Sequence, residues 1–252
     1  MKHLGKDASA ADYWTESADD YAAVIDGSYH RHRLSVIRAL LPDLAGKDVV
    51  DFGCGEGVSV RDAIEAGAHS AIGIDPNSAL LNLARKGAGL FLEGGVDQLA
   101  NIESADCLIS ANVLAYLTDE ENDRFYVEAA RLLRPGGHLV VTHSNNLFDL
   151  FTLNAFTVDF FRQMFGVDPS PLLANPDKPE RVTYNIRENP LQYPQRLARY
   201  GFTVERMEYI NHHARPPLLG ASEDFPDTLA VPEEERWKLM FQCSTFGVRA
   251  VR

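Results

Sequence analysis

Three glycines at alternate positions, Gly53, Gly55 and Gly57, separate the apolar run "VVDF" from the amphipathic stretch "VSVRDAIEAGA". Glycine tolerates positive φ and lets a ligand approach the main chain, so this pattern between a strand and a helix predicts a binding turn. Charge narrows the guest. The spacing departs from the GxGxxG of dinucleotide sites, because Val58 holds the position of the third glycine. Asp51, where the strand ends, would repel a pyrophosphate and welcome an ammonium group. Asp75 closes the next strand, the place from which a carboxylate accepts hydrogen bonds from both hydroxyls of a ribose. These features disfavour a nicotinamide oxidoreductase and favour a nucleoside with a free ribose, a charged amino-acid tail and no phosphate. S-adenosylmethionine answers that description.

The surrounding sequence supplies elements that would carry such a turn. "YHRHRLSVIRALLPDLAGK" places Leu34, Ile37, Leu40 and Leu41 at helical spacing before Pro42 and Gly46. "DVVDFG" reads as a buried parallel strand, followed by a helix stopped at Gly67. "SAIGID" is a second strand, and Asn77 or Ser78 can cap the helix after it. "LFLEG", "DCLISANV" and "GHLVVTHS" are further strands, with the amphipathic helix "DEENDRFYVEAARLLR" before the last. This βαβ series predicts an α/β fold, doubly wound around a mostly parallel Rossmann-like sheet, with ligands beyond the carboxyl ends of the strands. Residues 146–190, rich in Phe, Asn and Pro, interrupt the rhythm and predict a lid or substrate pocket. A helix in "LQYPQRLARYGF", the strand after it and a closing strand in "CSTFGVRAVR" complete the sheet. The expected organisation is a single domain over 1–252: a helical cap at 1–45, a cofactor-binding core at 46–145, the insert at 146–190 and the rest of the core at 191–252.

Composition sets outer limits. The 252 residues carry 36 acidic and 24 basic side chains, and the net charge of -12 disfavours a nucleic-acid partner. Three scattered cysteines fit neither a disulfide framework nor a metal cluster. The N-terminal stretch lacks the apolar run of a signal peptide, and no later run is long enough to enter a bilayer. A cytoplasmic location is expected.

In order and spacing, "VVDFGCGEG", "GIDPN", "ESADCLISANVLAYL", "RLLRPGGHLVVTH" and "RYGF" resemble the successive motifs of class I S-adenosylmethionine-dependent methyltransferases of the small-molecule type. The resemblance covers residues 49 to about 145 and returns near 197–210. It implies S-adenosyl-L-methionine as cofactor and S-adenosyl-L-homocysteine as product. It implies that Asp51 and the backbone of Gly53, Gly55 and Gly57 hold the methionine end. Asp75 would hold the ribose, and Pro76 and Asn77 would flank the adenine. Gly95 stands where an acid for the adenine amino group is common, with Val96 and Asp97 as replacements; Asn112 and Val113 resemble positions lining the sulfonium region. "YWTESADDY" and "YHRHRL" resemble the family's N-terminal cap, which implies that Tyr13 and Tyr21 close over the cofactor and Arg33 reaches its carboxylate.

His143, at the carboxyl end of the fifth strand, is the candidate general base, weighed against a structural hydrogen-bonding role. Asn145, Tyr184, Asn185, Arg187 and His212, the last paired with His213, are candidate substrate contacts. "THSNN" offers amides where a metal would need carboxylates, so no metal is expected. Cys54, inside the turn, reads as a packing residue. The expected activity is methyl transfer to an oxygen or nitrogen of a small molecule such as a sugar, sugar nucleotide or secondary metabolite. An isoprenoid quinone or lipid acceptor is the alternative, drawn from six phenylalanines between 148 and 165. A non-catalytic cofactor-binding or regulatory protein is the alternative of another class. The insert leaves a homodimer open.

Overall fold

Short, almost wholly apolar strands flanked by amphipathic helices have one way to bury both faces of a sheet, which is to lie in its middle with helices on each side. In the computed structural model this is the arrangement, described for residues 28–150, 186–213 and 227–252 and for the positions 159, 162, 163 and 166. The order of elements is α1 (Ser28–Leu40), β1 (Asp48–Phe52), α2 (Val58–Glu65), β2 (Ser70–Asp75), α3 (Ser78–Ala84), β3 (Leu90–Glu93), β4 (Ala105–Ser110), α4 (Asp119–Leu132), β5 (Leu133–Ser144), α5 (Asn146–Asp149), α6 (Tyr193–Ala198), β6 (Thr203–His212), α7 (Leu239–Gln242) and β7 (Cys243–Val251). Short 3-10 turns occupy Val96–Asn101 and Leu114–Tyr116.

The seven strands form one sheet in the order β3-β2-β1-β4-β5-β7-β6. β1 pairs in parallel with β2 and β4, β2 with β3, and β4 with β5. β7 runs antiparallel to both β5 and β6. This is the mostly parallel Rossmann-like sheet expected, with one reversed strand that no local pattern distinguishes from the rest. β5 starts at Leu133, ahead of the expected "GHLVVTHS", through an irregularity in its pairing between Ala105 and Cys107 of β4.

Local signals account for the helix ends. Asn77 caps α3, its Oδ1 accepting from the amides of Ala79 at 2.9 Å and Leu80 at 3.1 Å. Thr118 and Glu121 form a reciprocal capping box at the start of α4. One apolar layer joins Val50, Ile74, Leu108, Leu139 and Val141 to Phe125, Tyr126 and Leu197 of α4 and α6. The opposite layer joins Val49, Ala71, Cys107 and Val140 to Leu40 of α1 and to Val60, Ala63 and Leu81 of α2 and α3. The carboxyl ends of β1, β2, β4 and β5 thereby share one edge of the sheet, and the glycine turn opens there. Among the described residues, no helix is long and apolar enough to cross a membrane.

Candidate functional site

The β1–α2 turn is shaped as much by neighbours as by room for a guest. Gly53 has φ 76°, and a Cβ there would overlap the side chain of Val113, which arrives from the end of β4. Gly57 has φ 75°, and a Cβ would stand 2.8 Å from Phe91 Cε1 of β3. At both positions a side chain is excluded by the protein's own packing and by the left-handed backbone. Gly55 faces space and turns its N–H inward, donating to Asp75 Oδ2 at 2.9 Å.

Asp75 is buried, and its other oxygen, Oδ1, accepts from the Asn77 amide at 2.8 Å. Two main-chain donors therefore fix this carboxylate at the end of β2, and each oxygen keeps a lone pair for a hydroxyl guest. Burial raises its pKa, against the two amide hydrogen bonds that lower it. Asp51 is also buried, at the end of β1. Burial, then repulsion from Asp75, push its pKa up to about 7, with a hydrogen bond from Ser59 opposing and Asp62 adding further repulsion.

A cavity lies over this turn, lined by Arg33, Leu34 and Ile37 of α1, Asp51, Gly53, Gly55, Glu56, Ser59 and Ala111. α1 brings Arg33, itself buried, into the same cavity lining as Asp51. Ser59 and Ala111 join the lining without having been singled out in the sequence; Ser59 was legible only as a polar residue in the first turn of α2.

Asn112 and Val113 leave β4 in this region. Asn112 has φ 66°, left-handed and unusual for a residue with a side chain, and its amide donates to Thr142 Oγ1 of β5 at 2.8 Å. Pro76 is exposed beside the Asp75 turn; Asn77 caps α3 through Oδ1, and its buried Nδ2 has no hydrogen-bond partner among the described residues. Val96 is buried in the apolar layer. Asp97 lies exposed and pairs with Arg124 of α4, so its carboxylate turns away from the role of adenine acceptor. Cys54 is buried, its Sγ close to Gly73, and burial raises its thiol pKa, consistent with packing.

His143 is corrected by its surroundings. It is 1% exposed and faces the α4 and α6 layer, away from the cavity. Its Nε2 lies 3.0 Å from the Tyr126 hydroxyl and 2.7 Å from that of Tyr193, and the two hydroxyls are 2.7 Å apart. Burial, with Arg196 adding repulsion, drops its pKa to about 3. A neutral imidazole already engaged at Nε2 and sealed from solvent cannot collect a proton from an acceptor in the cavity. Asn145 is corrected too: wholly buried, it donates from Nδ2 to the carbonyls of Met240 at 2.7 Å and Cys243 at 2.8 Å, and accepts at Oδ1 from Leu147. Its Nδ2 thus ties the end of β5 to α7 and the start of β7, while its Oδ1 caps α5.

His212, at the end of β6, is half-buried, with Nε2 3.3 Å from Gln242 Oε1. His213 packs tilted against Phe148, with 4.8 Å between ring centroids, and burial, then His212, lower its pKa to about 4. Arg187 adjoins the strand-like bridge between Asn145 and Glu188. Tyr13, Tyr21, Tyr184 and Asn185 lie outside the described residues. No group of three or more potential metal ligands occurs among the described residues.

The profile of a family described as a methyltransferase domain matches residues 49–137, from the first residues of β1 to the start of β5. Within this chain the match to that methyltransferase-domain family is confined to residues 49–137. The chain is similar to the tRNA U34 carboxymethyltransferase of Idiomarina loihiensis, 32% identical over 111 residues, covering 40% of this chain and 34% of that protein. It is also similar to the ribosomal protein L11 methyltransferase of Vibrio cholerae, 31% identical over 132 residues, covering 50% and 42%. The chain thus spans about a third to two fifths of the length of these curated relatives. The fold around the methyltransferase domain is shared with an S-adenosylmethionine-dependent methyltransferase from Mesorhizobium loti, with TM-score 0.59, 21% identity and coverage of 88% of this chain and 98% of that one. It is shared also with magnesium protoporphyrin IX methyltransferase from Synechocystis, solved with S-adenosylhomocysteine, with TM-score 0.60, 17% identity and coverage of 96% and 97%.

The family's cofactor, S-adenosylmethionine, suits the groups present in the methyltransferase domain. A rigidly held carboxylate on β2 offers acceptors for a diol, a buried carboxylate on β1 has no compensating cation among the described charges that act on it, and a glycine-rich turn lies beside them.

Proposed function

We propose that this chain binds S-adenosylmethionine over the β1–α2 turn and transfers its methyl group to an oxygen or nitrogen of a small molecule. The observation that carries the reading is the pair of buried carboxylates, Asp51 and Asp75, on adjacent strand ends beside a floor of glycines. When bound, the cofactor supplies a methyl group already made electrophilic by its sulfonium. The chain's own work is binding and orientation. Asp75, aimed by the amides of Gly55 and Asn77, receives the ribose hydroxyls. Asp51 receives the ammonium, whose charge offsets the cost of ionising a buried acid, and Arg33 receives the carboxylate from across the cavity. Holding the partners in line and excluding water contributes most of the rate in such a reaction. The side chains of titratable type in the described lining are Arg33, Asp51, Cys54 and Glu56, so an acceptor already deprotonated or weakly basic needs no further residue.

The acceptor class rests on the charge of -12, which opposes a polyanionic substrate at long range. A cytoplasmic setting without membrane insertion belongs to the same proposal. One observation favours a second reading, a macromolecular acceptor: the curated relatives are named for tRNA and for a ribosomal protein. Those alignments cover only 40% and 50% of this chain.

The test is titration with S-adenosylhomocysteine followed by transfer of a labelled methyl group to sugars, amines and quinones, with bulk tRNA and ribosomal protein in parallel. Label on a small molecule supports the proposal, and label on tRNA or protein alone replaces its acceptor. Tight cofactor binding with no label anywhere supports the non-catalytic reading. Asp75→Asn keeps the shape and removes the charge, and should weaken S-adenosylhomocysteine roughly tenfold to a hundredfold.

A further inference from the structure

The glycine turn that lines the cavity is packed from behind by a residue outside it, and that packing is set by a strand that makes no part of the lining. Val113 lies so close over Gly53 that a Cβ on the glycine would overlap its side chain. The position of Val113 follows from the residue before it. Asn112 leaves β4 at φ 66°, a left-handed turn that asparagine adopts at less cost than most side-chain residues and that a fixed hydrogen-bond partner holds in one geometry. The constraint that the structure shows is the Asn112 amide donating to Thr142 Oγ1 at 2.8 Å.

Thr142 is well built to impose it. The residue is 1% exposed, near the carboxyl end of β5, where its register partner on β7 is Gly247. A Cβ on Gly247 would come 3.4 Å from Thr142 Cγ2, so the methyl group is packed on the β7 side. A β-branched side chain has few χ1 options, and fixing the methyl fixes the hydroxyl.

We propose that Thr142 is a positioning residue for the cofactor site. Its hydroxyl latches the Asn112 amide, the latched turn sets Val113 against Gly53, and that contact holds Gly53, and with it the glycine turn lining the cavity, in place. The inference rests on the cofactor reading above and adds to it a residue from the neighbouring strand that never touches the ligand.

The test uses the whole chain and S-adenosylhomocysteine, read by calorimetry and by thermal melting. Thr142→Val keeps the shape and deletes the hydroxyl, leaving the Asn112 amide without its acceptor; affinity should fall about tenfold. Thr142→Ser restores the hydroxyl and should bind within about threefold of the wild type. Hydrogen exchange over residues 110–116 should quicken in Thr142→Val and not in Thr142→Ser. Val113→Ala leaves the latch intact and removes the packing against Gly53, so it should lose affinity to a similar degree. It keeps the proposal testable should Thr142→Val fail to fold. If the wild type binds no S-adenosylhomocysteine, the cofactor reading itself fails. If the wild type binds and Thr142→Val or Val113→Ala binds equally well, or Thr142→Ser fails to rescue, the cofactor reading stands and the latch is overturned.

Discussion

Replacing Asp51 with asparagine separates the two demands that the site places on one carboxylate. In the ligand-free protein Asp51 is an acid raised from its ordinary 3.8 to about 7 by burial and by Asp75. The folded state therefore holds a proton that the unfolded chain releases near pH 4. Its contribution to stability is fully present below pH 3.8 and is lost as the pH climbs through about 7. At 1.36 kcal/mol per pKa unit, ionising Asp51 costs about 4 kcal/mol at pH 8, an upper figure that local relaxation reduces. The neutral amide of the Asp51→Asn variant has no charge to bury. Urea unfolding of the ligand-free proteins from pH 5 to pH 8.5 should show Asp51→Asn gaining on the wild type by about 2–4 kcal/mol across that range. S-adenosylhomocysteine should reverse the ranking, because its ammonium loses a buried anionic partner in the variant. A loss of about 2–5 kcal/mol in binding corresponds to roughly thirtyfold or more. At pH 6 the wild type should release a proton on binding, visible as a binding heat that changes with the ionisation enthalpy of the buffer. A stability difference independent of pH, together with no proton release, would show that Asp51 is ionised throughout and that the argument from burial is wrong.

Other perturbations test separate links. Gly53→Ala meets both the positive φ and the Val113 side chain, so it should destabilise the fold by about 2–4 kcal/mol in chemical denaturation, well beyond the effect of alanine at an open glycine such as Gly95. His143, held at a pKa of about 3 against an ordinary 6.5, must gain a proton when the chain unfolds in acid. Its share of stability is present above pH 6.5 and is lost as the pH falls toward 3. His143→Phe should flatten that acid limb while costing about 1–3 kcal/mol at pH 7 through the stranded tyrosine hydroxyls. Cofactor affinity should be unaltered, and a collapse of affinity with intact stability would return His143 to the site.

What the amino-acid order determined here is what depends on neighbours in the chain. Strand-length apolar runs, the Asn77 cap and the glycine turn after β1 are set within a few residues by backbone sterics and local hydrogen bonds, and they were legible. The placement of Asp51 and Asp75 at adjacent strand ends follows from them, because a βαβ unit puts consecutive parallel strands side by side. Tertiary structure alone decided the rest. Which face of β5 His143 takes depends on register, since one step along a strand reverses a side chain; Thr142 and His143 are neighbours that face opposite layers. Asp97 turned to Arg124 of α4 and Asn145 to carbonyls of residues 240 and 243, partners 27 and about 95 residues away that no local pattern announces. The reversal of β7 and the meeting of Val113 with Gly53 belong to the same class. They are contacts between elements brought together only by closing the sheet and burying both its faces, and their geometry is fixed by packing across those faces.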